Sequence, residues 1–134
     1  MSRDVKKRIV VAEDDAAILE LVTIRLELAG YHAIPARDGF QALDRVRAMQ
    51  PDAMILDIGL PGLDGFGVLG QLGKRLESLP VCMLTARHTS NDVQRAILMG
   101  ARGYLTKPFD DQVLLDRVAR LFKKAPNASN VWAI

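Results

Sequence analysis

Five side chains stand just past short apolar runs of this sequence, and their types define a chemistry. Glu13 and Asp14 follow "RIVVA", Asp57 follows "AMIL", Thr85 follows "VCML" and Lys107 follows "GYLT". Singly, each has an ordinary role: a carboxylate or hydroxyl capping a helix, an acid before a turn, a surface ammonium. Together they make three carboxylates, a hydroxyl and an ammonium. At an effective dielectric near 20, two carboxylates about 4 Å apart repel by roughly 4 kcal/mol, so the run Glu13-Asp14-Asp15 needs water, a shared proton or a cation.

An oxygen-only set suits a hard divalent ion, and Mg2+, which uses one or two carboxylates and keeps several waters, fits better than Zn2+. Neither His32 nor His88 falls at one of these run ends. A carboxylate beside Mg2+ can attack a phosphoryl group, whose equatorial oxygens then need donors and positive charge. The Thr85 hydroxyl and the Lys107 ammonium supply them. Adjacent Glu13 and Asp14 are needed by the metal, which leaves Asp57 as the acceptor and an acyl phosphate as the product.

These groups have to be gathered by the elements that carry them. Five apolar runs, Ile9 to Ala12, Tyr31 to Ala36, Ala53 to Leu56, Val81 to Leu84 and Gly103 to Thr106, read as strands. Segments of helical period follow at about 15–29, 39–49, 65–76, 91–99 and 110–124. Five successive βα units predict an α/β domain with a parallel sheet and helices on both faces. In such sheets functional groups collect at the carboxyl ends of the strands, where all five residues fall. Pro35 lacks a ladder donor and places its strand at an edge.

Helix boundaries carry their own signals: Gly30 after the first helix, Asp38-Gly39 before the second and Pro51 after it, Asn91 as a cap of the fourth and Gly100 at its end. Asp110 and Asp111 open the last helix, and Lys123 and Lys124 close it, as the macrodipole favours. The third helix contains Gly65, Gly67, Gly70 and Gly73. At about 1 kcal/mol per interior glycine it is expected to be the least stable. In the first helix, Leu19, Ile24, Leu26 and Leu28 widen the apolar surface and leave Glu20, Thr23 and Glu27 as its polar side. A wide core there is the expectation, with a partner-docking surface as the alternative.

The 134 residues, 49% hydrophobic and 25% charged, suit one compact domain. The net charge of +2 is concentrated near the termini and argues poorly for nucleic acid. The one cysteine, Cys82, excludes an internal disulfide and points to a reducing cytoplasm, with a buried, inert thiol expected. No apolar run approaches the roughly 20 residues of a membrane span, so a soluble protein is expected. The expected organisation is a basic lead-in over 1–7, one domain over 8–124 and a short tail or truncated linker over 125–134, where Val131, Trp132 and Ile134 could dock.

With these residues in view, the sequence resembles the receiver domain of bacterial two-component response regulators. The matching stretches are "VVAEDD", "ILDIGLPGLDGF" around Asp57, "LTAR" at Thr85 and "GYLTKPF" around Lys107, in order and over residues 8 to about 124. The resemblance implies a doubly wound (βα)5, flavodoxin-like domain with strand order 2-1-3-4-5. It implies that Asp14 binds Mg2+ directly and Glu13 through water, that Asp57 is both phosphoacceptor and metal ligand, and that the Gly59 carbonyl is a further ligand. Thr85 and Lys107 then grip the phosphoryl group, the bond before Pro108 is cis, and Thr85 with Tyr104 forms the switch.

The partners so implied are a sensor histidine kinase or histidine phosphotransfer protein, and a downstream protein target on the fourth helix, fifth strand and fifth helix. Direct nucleic-acid binding by this domain is not expected. Such a module catalyses only its own phosphorylation and hydrolysis. Gly59 and Arg87 stand where the family tunes acyl-phosphate lifetime, and Arg102 and Gly103 where a large subgroup carries dimer-forming acids. About ten residues after the last helix suit either a stand-alone receiver or one piece of a longer regulator. The alternative function is a receiver-like interaction module independent of phosphate. A haloacid-dehalogenase-type phosphatase would place D-x-D-x-[TV] after the first strand, and a flavin binder would not build its phosphate loop from acids.

Overall fold

The computed structural model describes residues 5–86 and 89–123; Arg87, His88, Lys124, Val131, Trp132 and Ile134 lie outside the described residues. Five strands, β1 (Arg8–Ala12), β2 (His32–Ala36), β3 (Ala53–Leu56), β4 (Val81–Thr85) and β5 (Gly103–Thr106), form one sheet. Their order is β2-β1-β3-β4-β5, and every pairing is parallel. Parallel neighbours require crossovers, which are supplied by α1 (Ala16–Leu28), α2 (Gly39–Met49), α3 (Gly65–Leu72) and α4 (Ser90–Leu98). Helix α5 (Asp111–Leu121) follows β5. Pro35 lies in edge strand β2, where its missing N–H breaks no interior ladder.

Side chains alternate across each strand, so one run of apolar residues serves two cores. Val10, Ala12, Met54, Leu56, Val81 and Met83 pack on one face with residues of α2, α3 and α4. Ile9, Val11, Ile55, Cys82, Leu84 and Leu105 pack on the other with Leu19, Val22 and Leu26 of α1 and Leu114, Val118 and Leu121 of α5. Cys82 is buried, and burial pushes its thiol up to about 12, against a small opposing effect of Arg117. Among the described residues, no helix is long and apolar enough to cross a membrane.

Local detail departs from the sequence reading in four places. Tyr31 precedes β2 instead of opening it, because its amide donates to the Leu26 carbonyl of α1 at 3.0 Å; its ring stacks on Phe122, with centroids 5.8 Å apart. The third helix is α-helical only to Leu72 and continues as a 3-10 segment, Gly73–Glu77, because Gly73 has φ +52°. Thr89, not Asn91, caps α4: its hydroxyl accepts from the Asp92 amide at 3.1 Å, two residues ahead of the expected position. In α1, Leu19, Val22 and Leu26 are buried, but Leu21, Ile24 and Leu28 are 42%, 48% and 76% exposed. The expectation of a wide core there is overturned, since the sheet covers only one side of a helix.

The remaining boundaries shift by a residue or two. Asp15 and Asp110 cap α1 and α5 from outside, Asp15 accepting from the amides of Ala17 and Ile18 and Asp110 from that of Gln112. Gly30 sits one residue beyond the α1 cap, Ala29, and Gln50 in a left-handed conformation ends α2 before Pro51. Thr85 is the last residue of β4 and is buried, so its position is set by the sheet.

Candidate functional site

Of all described residues, Glu13, Asp57 and Thr85 are the buried polar or charged ones, and all three lie at the carboxyl ends of central strands. β1 and β3 are paired, so Glu13 and Asp57 emerge side by side. The Asp57 amide donates to the Ala12 carbonyl at 3.0 Å, and the Glu13 amide to Ala36 at 3.0 Å. The ladders thus continue one residue past the strands and fix both backbones.

The three consecutive acids divide their work. Asp15 faces the helix: its Oδ1 accepts from the amides of Ala17 and Ile18 at 2.9 and 3.1 Å. Glu13 turns inward, with Oε2 accepting from the Asp15 amide at 3.0 Å and Oε1 paired with the Lys107 ammonium. Asp14 is exposed at the mouth. Carboxylate oxygens of Glu13, Asp14 and Asp57 all come within 4.8 Å of one another, and this cluster could hold a metal ion.

Asp57 is 6% exposed. Its Oδ1 accepts from the Gly59 amide at 3.2 Å, and its Oδ2 lies 3.1 Å from Lys107 Nζ. Lys107 is brought there by β5, and its own amide donates to the Thr85 carbonyl at 2.9 Å. The peptide bond between Lys107 and Pro108 is cis. One ammonium therefore serves two buried carboxylates. Burial works against the charged form of Lys107, but the bonds to Glu13 and Asp57 prevail and raise its pKa above 10.5. Burial raises the Glu13 carboxyl above its ordinary value, aided by the Asp57 charge and opposed by Lys107 and the Asp15 amide.

This imbalance tests the donor set for a cation. Two buried carboxylates and an exposed third, all oxygen donors, face a single lysine. The surplus is negative, and its chemistry is that of a hard divalent ion. The Gly59 amide holds Asp57, and a Cβ at Gly59 would meet nothing within 4 Å, so this side of the site is open.

Tyr104 lies on edge strand β5 but is only 8% exposed, because its ring packs in the core that includes Met83 and Ala96. Two features escaped the sequence reading. Gly65, read only as a helix weakener, is required by packing, because a Cβ there would lie 2.5 Å from the Asp57 carbonyl oxygen. An apolar cleft of about 400 Å³ also adjoins the site, lined by Ile18, Leu21, Ala86, Lys107, Pro108 and Phe109. Its signal in the sequence was the excess of apolar residues in α1.

Comparison with known proteins places this geometry among relatives. A model of the response regulator receiver domain matches residues 9–119. The DNA-binding dual master transcriptional regulator RpaA of Synechocystis is 42% identical over 119 residues, 87% of this chain and 49% of that protein. The alkaline phosphatase synthesis transcriptional regulatory protein PhoP of Bacillus subtilis is 36% identical over 123 residues, 92% of this chain and 51% of that protein. The chain spans about half the length of these relatives. The Vibrio cholerae chemotaxis protein CheY4 superposes with a TM-score of 0.83 at 28% identity, covering 88% of this chain and 100% of that one. Matched along most of its length in sequence and fold, with an acidic cluster at the strand ends, this chain belongs to the response regulator receiver domain family, signalling domains of two-component systems.

Proposed function

We propose that this chain is a phosphorylation-controlled switch in which Asp57 accepts a phosphoryl group from a phosphohistidine of a sensor kinase or histidine phosphotransfer protein. The observation that carries this reading is the setting of Asp57: buried, with one oxygen on the Gly59 amide, the other on Lys107, and Glu13 and Asp14 alongside. A resident Mg2+, held by Glu13, Asp14 and Asp57 with the Gly59 carbonyl, would supply charge neutralisation for the transferring phosphoryl group.

The chain's own residues do the rest. An Asp57 carboxylate oxygen attacks phosphorus, the phosphorus–nitrogen bond of the donor breaks, and its electron pair stays on the leaving imidazole. Lys107, already 3.1 Å from Asp57, neutralises the phosphoryl oxygens, and Thr85 on the adjacent strand donates its hydroxyl. The new group adds roughly 1.5 to 2 negative charges and three acceptor oxygens, enough to draw Lys107 from Glu13 and to reorder the loop after Thr85. Tyr104 lies on the strand beside Thr85 and passes the change to the face of α4, β5 and α5, where the downstream target binds.

The exposed Leu21 of α1 and the cleft it lines with Ile18, Pro108 and Phe109 give the phosphodonor an apolar surface beside Lys107. Intact mass after incubation with Mg2+ and acetyl phosphate, with and without EDTA, tests the reading. One Mg2+-dependent phosphoryl adduct, absent from Asp57→Asn, is expected. No adduct under rapid quench, with the fold intact, would favour an interaction module independent of phosphate.

A further inference from the structure

Helix α4 is thinly anchored: of its nine residues only Ala96 is buried, whereas α2 buries four residues and α5 three. Just past the end of α4, Met99 lies opposite Gly70 of α3, 3.8 Å from where a Cβ would be, so α3 presents no side chain to interlock with it there. The specific hold is nearer the site. The Arg95 guanidinium carbon lies 4.0 Å from the centroid of the Phe66 ring, a distance at which the ring face attracts a cation.

Phe66 is 2% exposed and cannot move independently of the phosphoacceptor strand. The preceding residue, Gly65, donates its amide to the Ile58 carbonyl at 2.8 Å. The same glycine packs directly on the backbone of Asp57 and Ile58, leaving no room for a Cβ. The start of α3 is therefore rigidly joined to the chain that carries Asp57, and Arg95 rests on the first side chain of that joint. At its other end α4 begins at the Thr89 cap, a short way along the chain from Thr85 at the end of β4.

We propose that Arg95 is a positioning residue that ties α4 to the phosphoacceptor loop through Phe66, so that events at Asp57 reach α4 by two routes. One runs along the chain from Thr85, and the other runs across the α3–α4 seam. The inference rests on the phosphoacceptor reading of Asp57. Arg95 touches no reacting atom in this scheme; it converts a shift of the β3–α3 junction into a shift of α4.

Hydrogen exchange by mass spectrometry tests it on the full chain, free and with Mg2+ plus beryllium fluoride, a tetrahedral mimic of the phosphoryl group. The wild type is expected to change α4 amide protection by about tenfold on binding the mimic. In Arg95→Met, which keeps an apolar cover on Phe66, that change is expected to fall roughly threefold or more with mimic affinity within about twofold of wild type. Arg95→Lys, which retains the cation, restores most of the response, and adding Phe66→Leu to Arg95→Met reduces it no further. A full response in Arg95→Met, a loss in Arg95→Lys equal to that in Arg95→Met, or a wild type that binds the mimic with α4 unchanged would each overturn the proposal. A wild type that fails to bind the mimic would overturn the phosphoacceptor reading beneath it.

Discussion

At the carboxyl ends of the strands, Glu13 and Asp57 are buried and share one ammonium; at the amino ends, Arg8 and Asp52 close on each other and on the neighbouring backbone. There Asp52 Oδ2 accepts from the Arg8 amide at 2.8 Å, the Asp52 amide donates back to the Arg8 carbonyl at 2.8 Å, and the Arg8 guanidinium reaches the Gln50 carbonyl at 2.7 Å. The Phe122 ring stacks on Tyr31, and the Lys7 ammonium lies 5.5 Å from its centroid. The amino end is completed by folding alone. The carboxyl end folds into a state that still lacks positive charge, and that deficit is the difference between a structural end and a functional one.

The sharpest test of the contrast is Asp57→Asn. Phosphoryl labelling should fall by at least about 100-fold, because an amide is no nucleophile at phosphorus. Stability should hold or rise by about 1 kcal/mol, because a buried like charge is removed, and urea unfolding measures it. A large loss of stability would mean that the carboxylate serves the fold.

Lys107→Ala leaves two buried carboxylates without their shared cation. A loss of about 3 kcal/mol in EDTA is expected, with a substantial part recovered on adding Mg2+. Mg2+ affinity, followed by calorimetry, should be kept or rise, while the response to the phosphoryl mimic is lost. Equal losses of both would show that Lys107 serves the metal site.

The same pair has a pH signature. Because Lys107 is raised above 10.5 in the folded chain, its stabilising effect is complete below 10.5 and is lost as pH rises through the higher folded value. Urea midpoints taken across this alkaline range should decline in the wild type and stay flatter in Lys107→Ala.

Phe122→Ala, at the opposite end, should cost about 2 kcal/mol through lost stacking and burial, with Mg2+ affinity unchanged. Asp52→Asn is the smallest change, about 1 kcal/mol or less, again with the site unaffected. If either variant altered metal affinity, the two ends would not be independent.

Much of this was legible in the sequence. Apolar runs and helical periods locate all five strands and helices, because burial on both faces of a parallel sheet demands continuous apolar strands. The strand ends carried the candidate residues, and four of the five come into direct mutual proximity while Thr85 lies buried on the neighbouring strand. Helix caps were less legible. Thr89 and Asn91 are equally competent by type, and only the folded backbone, which puts the Asp92 amide on the Thr89 hydroxyl, selects the first.

Residue type and period are enough to set the class of fold, the faces of the strands and the candidate residues of the site. The tertiary structure alone decided that Asp15 caps a helix while Glu13 turns inward, that one lysine bridges two acids, and that Gly65 gives backbone clearance to Asp57. It also decided which apolar residues of α1 stay outside and that Arg95 covers Phe66. Period and composition record what a residue prefers, but a shared charge, a close backbone approach or an unpacked face depends on what the rest of the chain brings beside it.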